Sequence, residues 1–296
     1  MSDILGPNPN LCTITSDTLN IFISECHDYI STLSLFKKYC LFRYTIGSGP
    51  LNTYLITGTA VKQSRIWALQ FFQYWYNTTP NPQQGIPAPY KQFLPYLTNP
   101  PYFKSLTQQR RHDISANLLL LYANTLQEII LNGPKVKGVG FDVYKIATPY
   151  DDLPNSVKYV PVNVEQYLFN STSVSKLFNF VLFSNPEHDC CLFKIHVPAG
   201  SQCLYISPYL AAYPWEEELL LPLGVIFKIN KISTGTLNYI TPSDMNIIQV
   251  QEKNNIRMGN VYLINRFQPC KSGVCKIKSK NFIIYSATLV NGNYYK

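Results

Sequence analysis

Long apolar runs are absent from this sequence of 296 residues, which holds no uninterrupted apolar stretch of about 18 residues. The longest candidate, 118–131, is broken by Asn124, Gln127 and Glu128, so we expect no membrane span. The first residues carry neither the basic segment nor the apolar core of a signal peptide, and we expect none. We therefore expect a location in the cytoplasm of the producing or host cell. An abundance of Asn, Tyr and Ile is typical of AT-rich genomes such as those of large DNA viruses, which leaves virion association open.

Clustered metal ligands and clustered basic residues are also missing. The four histidines and eight cysteines are scattered, and no second Cys or His pair has the spacing of zinc ligands, so we expect no metal site. Without a signal peptide the cysteines are expected to be free thiols, with a disulfide between Cys270 and Cys275 as the alternative. The net charge of +8 favours anionic ligands. Because the Lys and Arg residues form no long stripe, we expect no specific nucleic-acid partner.

Helical patterns fill the first 134 residues. Apolar residues at helical spacing predict one helix over 17–33 and a second over about 60–76. A third is expected to start near Ser105, where Ser105 and Gln108 have the spacing of a capping box. The proline-dense stretch 80–101 cannot hold a regular helix. It is rich in aromatic residues, which predicts that it packs on the rest of the molecule.

After residue 134 the pattern changes to short strands separated by turns. Alternating or continuous apolar stretches predict strands at 141–146, 157–162, 191–197, 202–207, 224–229, 247–250, 261–265 and 282–289. The order of patterns predicts an α+β fold. We divide it into a helical N-terminal region (1–134), a core (135–231) and a β-rich C-terminal extension of the core (232–296).

Three short segments carry the functional prediction. They are the Tyr144-Lys145 pair on the first strand, the Phe-Asn-Ser-Thr-Ser sequence at 169–173, and the Glu-Glu-Glu-Leu-Leu-Leu-Pro-Leu-Gly sequence at 216–224. Taken alone, the Glu run also fits a solvated face and the Ser-Thr-Ser run a turn. The leucines and the Pro-x-Gly stop, however, put Glu218 at the start of a buried strand. A carboxylate held against an apolar wall is typical of functional sites.

Together the segments resemble the mono-ADP-ribosyltransferases of the R-S-E class, named for an arginine, a serine and a glutamate. That family has an aromatic-Arg pair, an aromatic-x-Ser-Thr-Ser strand, and Glu-x-Glu followed by a hydrophobic residue, Leu-Leu-Pro and Gly. Here 169–173 matches the second element and 216–224 the third without a gap. The segment 195–200 is similar to the family's strand and Pro-x-Gly turn. The resemblance covers 136–231 and implies a mixed, largely antiparallel two-sheet core that binds NAD, with the helical region packed on it.

The resemblance implies a role for each matched residue, with NAD as the substrate. Glu218 stabilises the cationic sugar that forms when the bond to nicotinamide breaks, as carboxylates do in glycoside hydrolysis. Ser171 bonds to Glu218 and fixes its rotamer. The implied cofactor-binding residues are Lys145, Tyr144, Thr172, Ser173 and Phe169.

The resemblance also implies a target protein. Glu216 lies two residues before Glu218, so on a strand both would point the same way and suit an arginine acceptor, with water as the default acceptor. The alternative is that Glu216 and Glu217 are exposed loop charges. In the family the loop that precedes these glutamates, here 207–215, contacts the target protein, and aromatic residues in a loop favour partner recognition. The implied substrate-recognition residues are Tyr209, Tyr213 and Trp215; capping of the core is the alternative role for these three. His188 is a further loop residue that could approach the phosphates.

Lys145 departs from the family pattern, since the family has arginine at that position. Lysine keeps the positive charge and loses the rigid two-pronged geometry that arginine offers to phosphates. The motifs together make an NAD-dependent transferase that modifies a protein arginine the leading hypothesis, and Lys145 is the feature that favours the alternative. The alternative is a catalytically weak or inactive homologue that acts as a binding or virion structural protein.

Overall fold

The structure is a computed structural model of the chain. It describes residues 17–79, 81–147, 162–165, 170–173, 191–206, 210–212, 217–239, 247–250, 257–258, 261–262, 266–269 and 278–290. The predicted alternative of a Cys270–Cys275 disulfide lies outside these residues. Four of the described cysteines, Cys26, Cys40, Cys191 and Cys203, are buried free thiols, as expected.

All the described elements between residues 17 and 131 are helices. Its described helices are α1 (Asp17–Thr32), α2 (Leu35–Ile46), α3 (Gly49–Thr57), α4 (Lys62–Thr78), α5 (Pro82–Gly85), α6 (Ala88–Lys91), α7 (Leu94–Leu97), α8 (Pro100–Ser105) and α9 (Gln108–Leu131). Helices α1 and α4 confirm the predicted helices at 17–33 and 60–76. Helices α2 and α3 were not predicted.

The predicted capping box at the start of α9 is wrong. The helix begins at Gln108, and Thr107 is its N-cap residue, because the Thr107 hydroxyl accepts a hydrogen bond from the Arg110 N–H at 3.3 Å. Ser105 instead ends α8, and its hydroxyl donates to the Tyr102 carbonyl at 2.7 Å. Two residues, Leu106 and Thr107, lie between the two helices, so the cap is at Thr107 and Ser105 belongs to α8.

The proline-dense stretch folds into short helices that carry proline at their first positions. Two of its aromatic residues pack as predicted, since Tyr90 and Phe93 are buried, whereas Tyr102 just after it is 45% exposed. The Tyr90 hydroxyl lies 2.8 Å from the Thr125 hydroxyl of α9, and the Trp75 indole donates to the Pro82 carbonyl at 2.8 Å. The stretch therefore belongs to the helical core.

By length and composition, α9 is the one described helix that could cross a membrane, with a mean hydropathy of 1.3 over its most apolar window. In the fold, 56% of that window is buried against the surrounding elements. A helix in the core of a folded protein can have the same length and composition as a membrane-spanning helix. The burial of α9 is typical of such a core helix.

Strands make up most of the remaining described chain. They are β1 (Phe141–Ala147), β2 (Val162–Glu165), β3 (Asn170–Ser173), β4 (Cys191–Val197), β5 (Leu204–Tyr205), β6 (Glu218–Leu221), β7 (Ile226–Tyr239), β8 (Ile247–Val250), β9 (Arg257–Met258), β10 (Val261–Tyr262), β11 (Arg266–Pro269) and β12 (Lys278–Val290). β7 crosses the predicted boundary between 231 and 232, and β12 lies beside β7. The division into three regions stays a prediction.

Eight of the described strands form one continuous sheet in the order β2-β7-β12-β4-β1-β3-β6-β5. Every neighbouring pair is antiparallel except β12 with β4. Two further pairs, β8 with β11 and β9 with β10, are separate two-stranded ribbons. The α+β class and the mixed, largely antiparallel core are thus confirmed. Two sheets were expected for the core; in the structure, hydrogen bonds connect eight strands into one continuous sheet.

Polar side chains join the helical region to the sheet at several buried points. The bonds run from the Leu223 N–H to the Gln127 side chain (2.9 Å), from the Gln202 side chain to the Leu131 carbonyl (2.9 Å), from the Ala212 N–H to the Thr45 hydroxyl (2.9 Å) and from the Tyr205 N–H to the Cys26 sulfur (3.4 Å). Buried donors without a partner are unfavourable, so these bonds specify how helices and sheet fit together.

Candidate functional site

The strand β6 places Glu218 at a buried position, as the sequence predicts. Leu219, Leu220 and Leu221 are fully buried behind it, and Glu218 itself is only 4% exposed. After the strand the chain turns at Gly224, whose φ of 77° lies in the left-handed region that glycine tolerates best. The apolar run thus holds the carboxylate inside the fold.

Backbone pairing aligns Glu218 with two other predicted site residues. Ser173 of β3 pairs with Glu218 of β6 on one side and with Tyr144 of β1 on the other. Residues in one row across antiparallel strands share a face, so Tyr144 and Glu218 lie on the same side of the sheet, about 10 Å apart at their Cα atoms. Tyr144 is buried as well, at 6% exposure.

The remaining residues of the Ser-Thr-Ser strand lie beside this row. Ser171 pairs with Leu220, which makes it a diagonal neighbour of Glu218 within reach of a long side chain. Thr172 is buried, and its hydroxyl donates to the Leu219 carbonyl at 2.8 Å, which ties β3 to β6. The predicted bond between Ser171 and Glu218 stays a prediction.

Lys145 lies one residue beyond Tyr144 on β1 and pairs with Phe193 of β4. Its side chain is half-buried. Because successive residues on a strand point to opposite faces, Lys145 points away from the face that carries Tyr144 and Glu218. Its predicted role in holding NAD stays a prediction.

Several predicted site residues lie outside the described residues: Phe169, His188, Tyr209, Tyr213, Trp215 and Glu216. The reasoning that Glu216 and Glu218 share a face assumed one strand through both. In the structure β6 begins at Glu218, and Glu217 has a φ of 45°, so strand alternation does not extend back to Glu216. The roles of these residues stay predictions.

The corner between α2 and α3 adds a residue that sequence reasoning missed. Tyr44 is buried at the end of α2, and burial together with the charge of Glu218 raises the pKa of its hydroxyl. Hydrogen bonding with Asn52 and Ser48 partly offsets this rise. Tyr44 is therefore a neutral hydroxyl within electrostatic range of the Glu218 carboxylate. A signal was present in Gly47, which follows the end of α2, and in Gly49 and Pro50, which begin α3.

Glu217 lies in a different environment from Glu218. Burial raises the pKa of the Glu217 carboxyl. The pKa of Tyr205 on β5 is also raised, mainly by burial of Tyr205 and secondly by the charge of Glu217. Tyr205 contacts α1, where the Cys26 sulfur accepts from its N–H. The two adjacent carboxylates thus interact with different tyrosines, Glu217 with Tyr205 and Glu218 with Tyr44.

A half-exposed charged cluster lies on the same face as Tyr144. The Lys194 ammonium is 2.8 Å from one Asp142 carboxylate oxygen, and the His196 ring nitrogen is 3.1 Å from the other. Burial acts to raise the pKa of Asp142, but the hydrogen bonds and charges of Lys194 and His196 outweigh it, so the pKa lies below its usual value. Asp142 is therefore a stable anion at neutral pH.

The described residues hold no group of three or more His, Cys, Asp and Glu side chains that could bind a metal ion. Fold and site together define a class: an α+β protein whose mixed sheet places a buried carboxylate beside a Ser-Thr-Ser strand. Residues 160–257, about a third of the chain, match the family model described as ADP-ribosyltransferase exoenzyme. The match includes β3 and β6, and it confirms the resemblance that the motifs predicted.

Solved structures of several ADP-ribosyltransferases are similar to this one in overall arrangement. Plx2a, an ADP-ribosyltransferase toxin from Paenibacillus larvae, is 14% identical with a TM-score of 0.48, over 93% of this chain and 96% of that one. The Clostridium limosum C3 exoenzyme is 14% identical with a TM-score of 0.45, over 93% of this chain and 94% of that one. C3stau2 from S. aureus, solved with NAD, is 13% identical with a TM-score of 0.45, over 92% of this chain and 92% of that one. No curated protein sequence matches the chain. Similarities of this size say nothing about the substrate of this chain.

Proposed function

We propose that this chain is an NAD-dependent mono-ADP-ribosyltransferase that modifies a protein at arginine. The observation that carries the proposal is the buried position of Glu218, in one register row with Tyr144 and within electrostatic range of Tyr44. The family match over 160–257 supports the same reaction class. A carboxylate in a low-dielectric setting stabilises a developing positive charge more strongly than one in water.

In the proposed reaction the bond between the ribose C1′ atom and the nicotinamide nitrogen breaks, and nicotinamide leaves with the bonding electrons. Glu218 stabilises the resulting cationic sugar through the 2′-hydroxyl of the ribose. A guanidinium nitrogen of the acceptor then forms the new bond to C1′ and releases one proton. Glu216 is the proposed base for that proton. Ser171 is the proposed partner that orients Glu218.

The acceptor and its location extend the proposal beyond the site. Glu216 ahead of Glu218 favours arginine, and the aromatic residues Tyr209, Tyr213 and Trp215 are the proposed contacts with the target protein. We place the reaction in the cytoplasm of the producing or host cell. Transport in a virus particle is an additional proposal, supported only by the Asn-, Tyr- and Ile-rich composition.

The decisive experiment is the release of nicotinamide from NAD by the purified chain, with and without an arginine-containing acceptor. We expect Glu218→Gln to lower the turnover number at least about 100-fold, because it removes the charge that stabilises the transition state. Binding of NAD should change much less. Glu128→Gln is the matched control, since Glu128 is a half-exposed carboxylate of α9 bonded to Lys37. Release that is equal in the wild type and in Glu218→Gln would overturn the proposal.

The alternative function is a weak or inactive homologue that acts by binding. Lys145 favours it, since the family's arginine is absent and β1 points the lysine away from the face of Glu218. Binding of NAD without any Glu218-dependent release of nicotinamide would support this alternative.

A further inference from the structure

One register row crosses six strands of the sheet and has Glu218 at one end. Beyond Tyr144 the row continues to Lys194 on β4, Ser286 on β12 and Lys231 on β7. Residues in one row share a face of the sheet. With about 4.8 Å between neighbouring strands, the Cα atom of Lys194 lies about 14 Å from that of Glu218.

Exposure and charge change together along this row. Glu218 and Tyr144 are 4% and 6% exposed. The Lys194 side chain is 44% exposed, and Lys231 at the far end is exposed as well. The row therefore runs from a buried carboxylate, past a buried phenol, to an open and basic edge. An elongated ligand with a positive charge developing at one end and negative charge further along matches this order.

Lys194 is held in a defined position on this face. Its ammonium bonds to one oxygen of Asp142, and the second oxygen of Asp142 is taken by His196. A lysine ammonium has three donors, so the contact with Asp142 leaves capacity for an anion. Asp142 thus positions the lysine while leaving it able to bind.

We propose that Lys194 is a binding residue for the diphosphate of the dinucleotide, an inference that rests on the function proposed above. With its reacting ribose at Glu218, a dinucleotide extends its diphosphate away from the buried end. Along the described part of the row, Lys194 is the first cation that it meets. Lysine binds phosphate as a point charge and needs no two-pronged geometry.

Lys145 and Lys194 are two alternative candidates for binding the diphosphate. The family resemblance implies that Lys145 holds the pyrophosphate or the ribose of NAD. Strand alternation sends Lys145 to the opposite face from Glu218 and keeps Lys194 on the face of Glu218. A comparison of the two lysines therefore separates resemblance from geometry.

The test is calorimetric titration of the full chain with NAD, ADP and adenosine. We expect Lys194→Ala to raise the Kd for NAD and for ADP about tenfold, the effect of one charge-assisted bond, and to leave adenosine unchanged. Lys194→Arg should restore binding to within about threefold, because the charge remains. The matched control is Lys104→Ala, which removes an exposed charge from α8.

Three outcomes would overturn the inference, and one of them concerns the proposed function too. A Kd for NAD and ADP that Lys194→Ala leaves unchanged, while release of nicotinamide still depends on Glu218, refutes the lysine assignment alone. Equal weakening by Lys104→Ala reduces the effect to net charge and refutes it as well. A wild-type chain that neither binds NAD nor releases nicotinamide refutes the proposed function and this inference together.

Discussion

At the scale of single residues, Asp142 shows how two partners outweigh burial. The carboxyl is about one-third exposed, which on balance weakens any single ion pair through solvent screening. Here Lys194 and His196 act together on its two oxygens, and the pKa of Asp142 falls below its usual value of 3.8. The charged form is therefore favoured more in the folded chain than in the unfolded chain.

This lowered pKa predicts a pH-dependent contribution of Asp142 to stability. A carboxyl with a lower pKa in the folded state stabilises the fold above its unfolded pKa and loses that contribution as pH falls through the folded pKa. We expect Asp142→Asn to reduce the free energy of unfolding by about 0.5 kcal/mol at pH 7, after allowance for exposure, and by progressively less as the pH falls through the lowered folded pKa. Urea unfolding at several pH values measures this. Asp28→Asn, at an exposed carboxylate of α1, is the control. An Asp142→Asn deficit that does not shrink as the pH falls below 3.8 would contradict the assignment.

The single site residue that sequence reasoning located best is Glu218. Three leucines and a Pro-x-Gly stop can only be accommodated as a buried strand and turn, so the position of the carboxylate followed from its neighbours. The backbone conformation of Glu217 could not be predicted from its neighbours in the same way. Its φ of 45° is a local backbone choice made where the chain enters β6, and strand alternation does not describe it.

At the scale of elements, sequence prediction succeeded for β4, where one face is buried, and failed for α2, where burial is nearly complete over its second half. β4 alternates buried Ile195 and Val197 with half-exposed Lys194 and His196, and it occupies the predicted range 191–197. Helix α2 is buried on all sides over much of its length, so it has no polar face and no helical period to detect. Its absence from the prediction also hid Tyr44.

The turn before β1 makes a prediction at the same scale. Gly140 has a φ of 81°, and a Cβ atom there would lie 2.3 Å from the Val197 carbonyl oxygen. We expect Gly140→Ala to lower the free energy of unfolding by about 1–3 kcal/mol, because both the backbone conformation and the contact with β4 are lost. Thermal and urea unfolding measure it.

Gly49→Ala is the control for the Gly140 substitution. Gly49 begins α3, and a Cβ atom there would meet nothing within 4 Å. We expect its stability to be unchanged or slightly raised, since alanine is a better helix former than glycine. An equal loss in both variants would show that general glycine flexibility, and not the close approach of β1 and β4, accounts for the effect.

At the scale of the whole molecule, the site combines parts that are distant in the sequence. Tyr44 and Glu218 come from a helix and a strand that only the folded chain brings together. The row from Glu218 to Lys194 depends on the strand order β6-β3-β1-β4, which no local pattern specifies. Periodicity predicts which segments become strands, and motif resemblance predicts which ones carry chemistry. Neither predicts the register that decides which side chains share a face.

The contact between Gln127 and Leu223 tests whether helices and sheet form one cooperative unit. Gln127 is buried in α9; it accepts from the Leu223 N–H at 2.9 Å and donates to its carbonyl at 3.5 Å. Leu223 lies two residues after the end of β6, so this bond joins α9 to the turn that follows the strand of Glu218. We expect Gln127→Leu to lower the free energy of unfolding by about 1–3 kcal/mol, since it leaves the half-buried Leu223 N–H without this partner.

Because the lost bond belongs to both regions, its effect should reach both. We expect hydrogen-exchange protection to fall by a similar factor in α4 and in β6, although only β6 adjoins Leu223. The control is Gln109→Leu on the same helix, an exposed side chain bonded to Asp113, which should change stability by less than about 0.5 kcal/mol. Protection that falls in β6 alone would mean that the sheet opens independently of the helices. The Glu218 carboxylate would then lose its enclosure without unfolding of the helical region, and the burial that supports the proposed chemistry would be a property of the sheet and its local contacts only.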